Sequence, residues 1–304
     1  MADSSPIRYG FDAVKKTRGL FLIEIAWRWT FGLLATLLLV IGTTAFIARL
    51  NISPADAQVI RGPRPTPAAA AALVHVFEQN GVWRQFFLIA AAVVFPSTLI
   101  WIIAATIGRV AVLRRLFASP QVDTAAVLYL TIARAGLLFA CVALWFGWMV
   151  LCAFLTMSGE EPNYPLYLLL SFLALPVVAV VWGMLNWVLS LAPVLVARDR
   201  LGALASYRSA VRLVRREKAT FVSVTSWLGM ARFMVMIAAL VIALLFLLVF
   251  HSADTVTIML TIVTLLYCAF ADYLYVVRLA AYSQIGGDRS NIFEGATPSA
   301  HLLH

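Results

Sequence analysis

Six runs of mostly apolar residues, each about as long as a bilayer is thick, divide this chain of 304 residues. A helix needs roughly 20 apolar residues to cross a hydrocarbon core. Water is absent there, so the backbone must bond to itself and each run must be helical. The runs are 29–48, 85–108, 135–157, 166–190, 233–253 and 255–277. They specify an all-α fold, a polytopic membrane bundle of six transmembrane helices arranged as three hairpins. Charged residues make up 12% of the chain, against about 25% in soluble domains. The reading is a single integral membrane domain over 1–304.

Residues 1–28 form a cytoplasmic amphipathic arm. Hairpin 1 covers 29–108, hairpin 2 with its inner linker covers 109–197, and an inner amphipathic helix plus hairpin 3 covers 198–281. A cytoplasmic tail, 282–304, follows. Apolar sequence begins near Leu20 but Glu24 and Arg28 interrupt it, so the first full span starts at Trp29. It is longer than the 7–15-residue core of a cleavable signal, and is read as retained. In the outer loop Pro54, Pro63, Pro65 and Pro67 predict an extended first half. Thr66-Pro67 then starts a short helix over 67–79, stopped by Asn80-Gly81. Pro176 is expected to kink the fourth span.

Arginine and lysine set the orientation. Of the 23 basic residues, 19 fall in the arm, the 109–134 and 198–232 segments and the tail. The other side holds only Arg49, Arg61, Arg64 and Arg84. Both termini are therefore placed in the cytoplasm, in a bacterial inner membrane, where arginine outnumbers lysine as in GC-rich genomes. The net charge of +9 is thus a topology signal, and anionic lipid rather than nucleic acid is the implied partner. A layout of about 100 residues recurs three times, each unit entering an odd-numbered span through an arginine: Arg28, Arg134 and Arg232.

Polar groups collect near the inner boundary. Counted from the 251–254 turn, Arg232 and Asp272 lie at similar depth, about 27–30 Å from the outer face, and Asn186 falls level with them. Together with Arg134 they form a candidate inner-leaflet polar cluster, read either as an ion pair with interfacial snorkelling or as part of a substrate path. Over 201–217, Tyr207, Ala210, Val211 and Val214 share one helix face while Arg208, Arg212, Arg215 and Arg216 gather beside it. This segment is expected to lie on the inner leaflet as an anionic lipid surface. Trp27, Trp29, Trp83 and Trp227 read as interfacial anchors.

Catalytic signals do not appear. No span contains a histidine, which argues against a bis-histidine haem between helices. There is no glycine-rich phosphate loop, paired-cysteine motif or HExxH. Cys141, Cys152 and Cys268 read as buried apolar thiols, and Glu160 and Glu161 as part of an outer turn. No cofactor, metal or catalytic residue is assigned.

The stretch Ala205 to Arg215, ASYRSAVRLVR, followed by a span, resembles a segment of six-span bacterial membrane proteins. These include the membrane domain attached to some glycerophosphodiester phosphodiesterases. The resemblance covers the last third and the six-span layout; it implies a membrane role, no hydrolysis here, and supplies no catalytic residue. The expected function is therefore a non-enzymatic accessory or scaffolding subunit of an envelope process. Transport of a lipid or other amphiphile past the inner-leaflet cluster is the alternative.

Overall fold

The structure is a computed structural model, and it describes residues 5–17, 19–50, 52–60, 76, 82–118, 121–157, 163–250 and 252–285. Among the described residues there are nine helices and no strand: α1 (Pro6–Lys16), α2 (Gly19–Ile47), α3 (Pro54–Ile60), α4 (Val82–Leu116), α5 (Thr124–Met157), α6 (Tyr164–Asp199), α7 (Ala203–Arg216), α8 (Lys218–Val249) and α9 (Ala253–Gln284). Helices α2, α4, α5, α6, α8 and α9 are long and apolar enough to cross a membrane. The chain is an all-α, multi-pass membrane protein.

These six helices end on the outer side close to where the apolar runs end, but on the inner side every one continues. The excess ranges from 7 residues in α9 (Gln284 against 277) to 15 in α8 (Lys218 against 233). Apolarity alone measures the length that faces lipid. The extra turns are held by protein packing, which a hydropathy count does not see. Outer windows are open by contrast: no more than 22% of the most apolar window of any of the six is buried.

Two compact units are distinguished, residues 27–104 and the remainder. In the first, the outer parts of α2 and α4 approach closely. A Cβ on Gly42 would lie 2.3 Å from a Val93 methyl, so only glycine fits there, as at membrane helix crossings generally. Phe46 and Phe86 meet edge to face at 5.8 Å. An apolar groove of about 340 Å³ lies alongside, lined by Leu39, Phe46, Ile89 and Val93 among others.

The second unit carries the core. Leu20, Val110, Leu113, Val127, Leu191, Leu195, Phe221, Val277 and Tyr282 are buried together with Ala192, Ala210, Ala280 and Ala281. Each large side chain removed from water contributes about 1.5–3 kcal/mol, and the alanines let the backbones approach. Helix α1 is capped by Ser5, whose Oγ accepts from the Arg8 amide at 3.4 Å, with Pro6 next. It lies against α9, and Gly10 is its point of closest approach: a Cβ there would be 2.5 Å from the Val277 carbonyl oxygen. Helices α5 and α6 pack as one hairpin and α8 and α9 as another. Trp148 Nε1 crosses the first, donating to the Leu170 carbonyl at 3.0 Å. Arg200 takes a left-handed conformation (φ 52°, ψ 36°) to end α6 and turn the chain into α7.

Three expectations change. Residues 54–60 are helical rather than extended, because Pro54 stands at the first helical position, where its missing donor costs nothing. Glu24 and Arg28 do not interrupt the first membrane helix, which starts at Gly19. Glu24 is fully buried and Arg28 stacks on Trp27 at 5.3 Å. The apolar face of α7 is turned to protein, with Ala210 inside the core and Tyr207, Leu213 and Val214 packed against it. Its alignment with core rather than lipid follows from the inner helix extensions that it covers. Helix α6 runs continuously through Pro176 and Pro193. The predicted helix over 67–79 falls, apart from Val76, outside the described residues, as do Glu160, Glu161 and all four histidines.

Candidate functional site

Helix α4 leaves its uncharged run at Arg109, and α5 carries Arg134 just before its own run begins. Arg278 is the first basic residue after the apolar run of α9. An uncharged helix of 23 or 24 residues is about 35 Å long, past the roughly 30 Å of hydrocarbon. All three arginines therefore stand at headgroup level on the inner side.

They converge on Tyr275. The Cζ atoms of Arg109 and Arg278 each lie 4.9 Å from the centre of its ring. Arg109 Nη2 donates to Tyr275 Oη, and Arg134 also hydrogen-bonds Tyr275. Stacking a guanidinium on an aromatic ring contributes about 0.5–2 kcal/mol, but it does not neutralise charge. Electrostatically, the groups acting on Arg134 are Tyr275, Arg109 and Arg278, with no carboxylate among them. Arg109 is only 8% exposed, and its Nη1 is buried without a hydrogen-bond partner. The Nε of Arg278 is buried and unpartnered as well. Arg134, Tyr275 and Arg278 are half-buried, so the group can be reached from outside the protein. Chemically, this is a concentrated positive charge with donor N–H groups to spare.

The predicted inner-leaflet cluster is distributed among several neighbours. Arg134 belongs to the Tyr275 group. Arg232 is exposed, and its Nε donates to Tyr267 Oη at 3.4 Å across the α8–α9 hairpin. Asn186 accepts from Ser190 Oγ at 3.5 Å, one turn along α6. Asp272 is buried one turn before Tyr275 and, like the buried Glu24, is engaged by other groups. Each of the three repeat arginines rests on an aromatic side chain: Arg28 on Trp27, Arg134 on Tyr275 and Arg232 on Tyr267.

Arg208, Arg212, Arg215 and Arg216 are exposed on α7, opposite its buried Ser206 and Ala210. Arg212 and Arg216 line a cleft of about 230 Å³ with Arg198, Asp199 and Ser209. Arg198 is held by Asp199 at 2.7 Å, and its Nη1 donates to the Ser283 and Ile285 carbonyls at 3.5 and 3.2 Å, closing the end of α9. Among the described residues no group of three or more His, Cys, Asp or Glu could hold a metal ion.

Arg109, Tyr275 and Arg278 were not singled out by sequence reasoning, which counted the two arginines as loop charges. The available signal is their position as the first basic residues beyond an apolar run, with Tyr275 and Arg278 on one helix face at i, i+3 spacing. No known protein family, curated protein or solved structure matches the chain.

Proposed function

We propose that this protein is a non-enzymatic accessory or scaffolding subunit of a process in the bacterial inner membrane, with both termini in the cytoplasm. The observation supporting this reading is the division of each membrane helix into a packed inner end and an open apolar length. Leu240, Leu244 and Leu248 of α8, for example, are all exposed, which suits lipid or the helices of a partner subunit. Charged side chains are missing from the middle of the six apolar windows, which disfavours a conduit for ions or polar solutes. The arginine-rich edge, including exposed Arg208, Arg212, Arg215 and Arg216, faces the anionic inner leaflet in this orientation, where each adds about 1 kcal/mol of attraction.

Handling of an anionic amphiphile is the second reading, favoured by the guanidinium group around Tyr275. Extraction from native membranes in mild detergent separates the two. An accessory subunit copurifies in fixed stoichiometry with another membrane protein. Repeated isolation as a lone monomer contradicts the accessory role.

A further inference from the structure

We infer that Arg109, Arg134 and Arg278 form a phosphate-binding site on the inner side of the membrane, with Tyr275 as its floor. Three unlike helices, α4, α5 and α9, each deliver one guanidinium to the same phenol ring. Gathering like charges in a half-buried place is unfavourable unless an anion joins them. The ring and its hydroxyl engage part of each arginine, yet Arg109 Nη1 and Arg278 Nε remain buried without an acceptor. A buried charged donor left unsatisfied costs more than about 1–3 kcal/mol. A tetrahedral phosphate offers several strong acceptor oxygens, and guanidinium forks match that geometry.

Position narrows the ligand further. The site lies about 35 Å along the uncharged helices, level with lipid phosphates rather than acyl chains, and its half-buried members leave a way in. The chemistry recognised is a phosphodiester or phosphomonoester, carried by an anionic lipid headgroup or by soluble phosphate. This site goes beyond the accessory role and does not depend on it. The copurification test can fail while phosphate binding holds, and the reverse.

The test uses the full chain in dodecyl maltoside micelles, with thermal unfolding followed by tryptophan fluorescence. Phosphatidic acid, phosphatidylglycerol, diacylglycerol and inorganic phosphate are titrated separately at matched ionic strength. A saturable rise in Tm with the phospholipids, absent with diacylglycerol, is expected. Arg109→Gln and Arg134→Gln should each weaken this binding roughly tenfold or more, since each loses charged hydrogen bonds. Arg212→Gln on α7 should leave it unchanged. Saturation by inorganic phosphate alone, or its displacement of the lipid, assigns the phosphate to a soluble source; saturation by lipid alone assigns it to the leaflet. Should Arg109→Gln fail to fold, the half-buried Arg134→Gln carries the test, with Arg109→Lys retaining charge but losing the fork. Failure of every phosphate probe to saturate, or affinities within twofold of wild type in the foldable variants, overturns the site.

Discussion

The two ends of α8 are both apolar, yet they are solvated by different media. Near its start, Phe221, Val224 and Leu228 are buried in the core, Phe221 completely. Further on, Leu240, Leu244 and Leu248 stand open, Leu248 at 75% exposure. Helix α6 divides the same way: Leu189 to Ala197 is buried throughout, whereas Leu168, Leu169, Leu173 and Val177 are exposed. Composition does not distinguish these stretches; their neighbours do. The inner ends alternate with alanine, tyrosine and arginine and are covered by α1 and α7. The outer lengths have neither charges nor covering helices, which suits hydrocarbon. An apolar residue therefore says that water is excluded, and its context says whether protein or lipid excludes it.

The largest contrast should come from truncating one residue of each kind. Phe221→Ala opens a cavity in the core and should cost about 3–5 kcal/mol, read as a lower unfolding midpoint in mixed micelles. Leu248→Ala should change stability by no more than about 0.5 kcal/mol. Equal effects at both positions would erase the distinction between the two ends.

A smaller effect is expected where α1 closes the core. Gly10→Val places carbon atoms against the Val277 carbonyl, and overpacking of this kind costs about 1–3 kcal/mol. The displaced helix should expose Lys15 and Lys16 to trypsin, so faster cleavage of the first 16 residues in inside-out vesicles is the sharper readout. Unchanged cleavage would mean that α1 is not held at Gly10.

The least perturbing change is on the surface of α7. Replacing Arg208, Arg212, Arg215 and Arg216 by Gln should leave stability within about 0.5 kcal/mol per site, because all four are exposed. Tryptic peptides covering α7 should at the same time lose affinity for anionic vesicles. A large loss of stability would show that these arginines belong to the packed end of the molecule after all.

Much of this fold is legible in the sequence, since hydropathy finds all six membrane helices and their outer ends within a few residues. The inner ends are not, because Glu24, Arg28 and Arg109 look like loop charges until packing shows them within helices. The site divides similarly. Arg134 is visible as a recurring arginine, and the basic face of α7 follows from helical spacing. The convergence of Arg109 and Arg278 on Tyr275 needs three helices brought together over up to 169 residues of chain (Arg109 to Arg278). Local periodicity carries no information about contacts at that separation. Arg232 and Asp272 lie at similar depth as counted, yet depth does not fix azimuth, and Arg232 faces Tyr267.

Spin labels walked along α8 in reconstituted bilayers address the division most directly, by comparing collision with oxygen, which concentrates in lipid, and with a water-soluble nickel chelate. Labels at 240, 244 and 248 should collide with oxygen and escape nickel, labels at 221 and 224 should be immobile and shielded from both, and a label at 218 should meet nickel. Nickel collisions at 240–248 matching those at 218, or free oxygen access at 221 and 224, would contradict a membrane helix packed by protein at one end and bathed by lipid at the other.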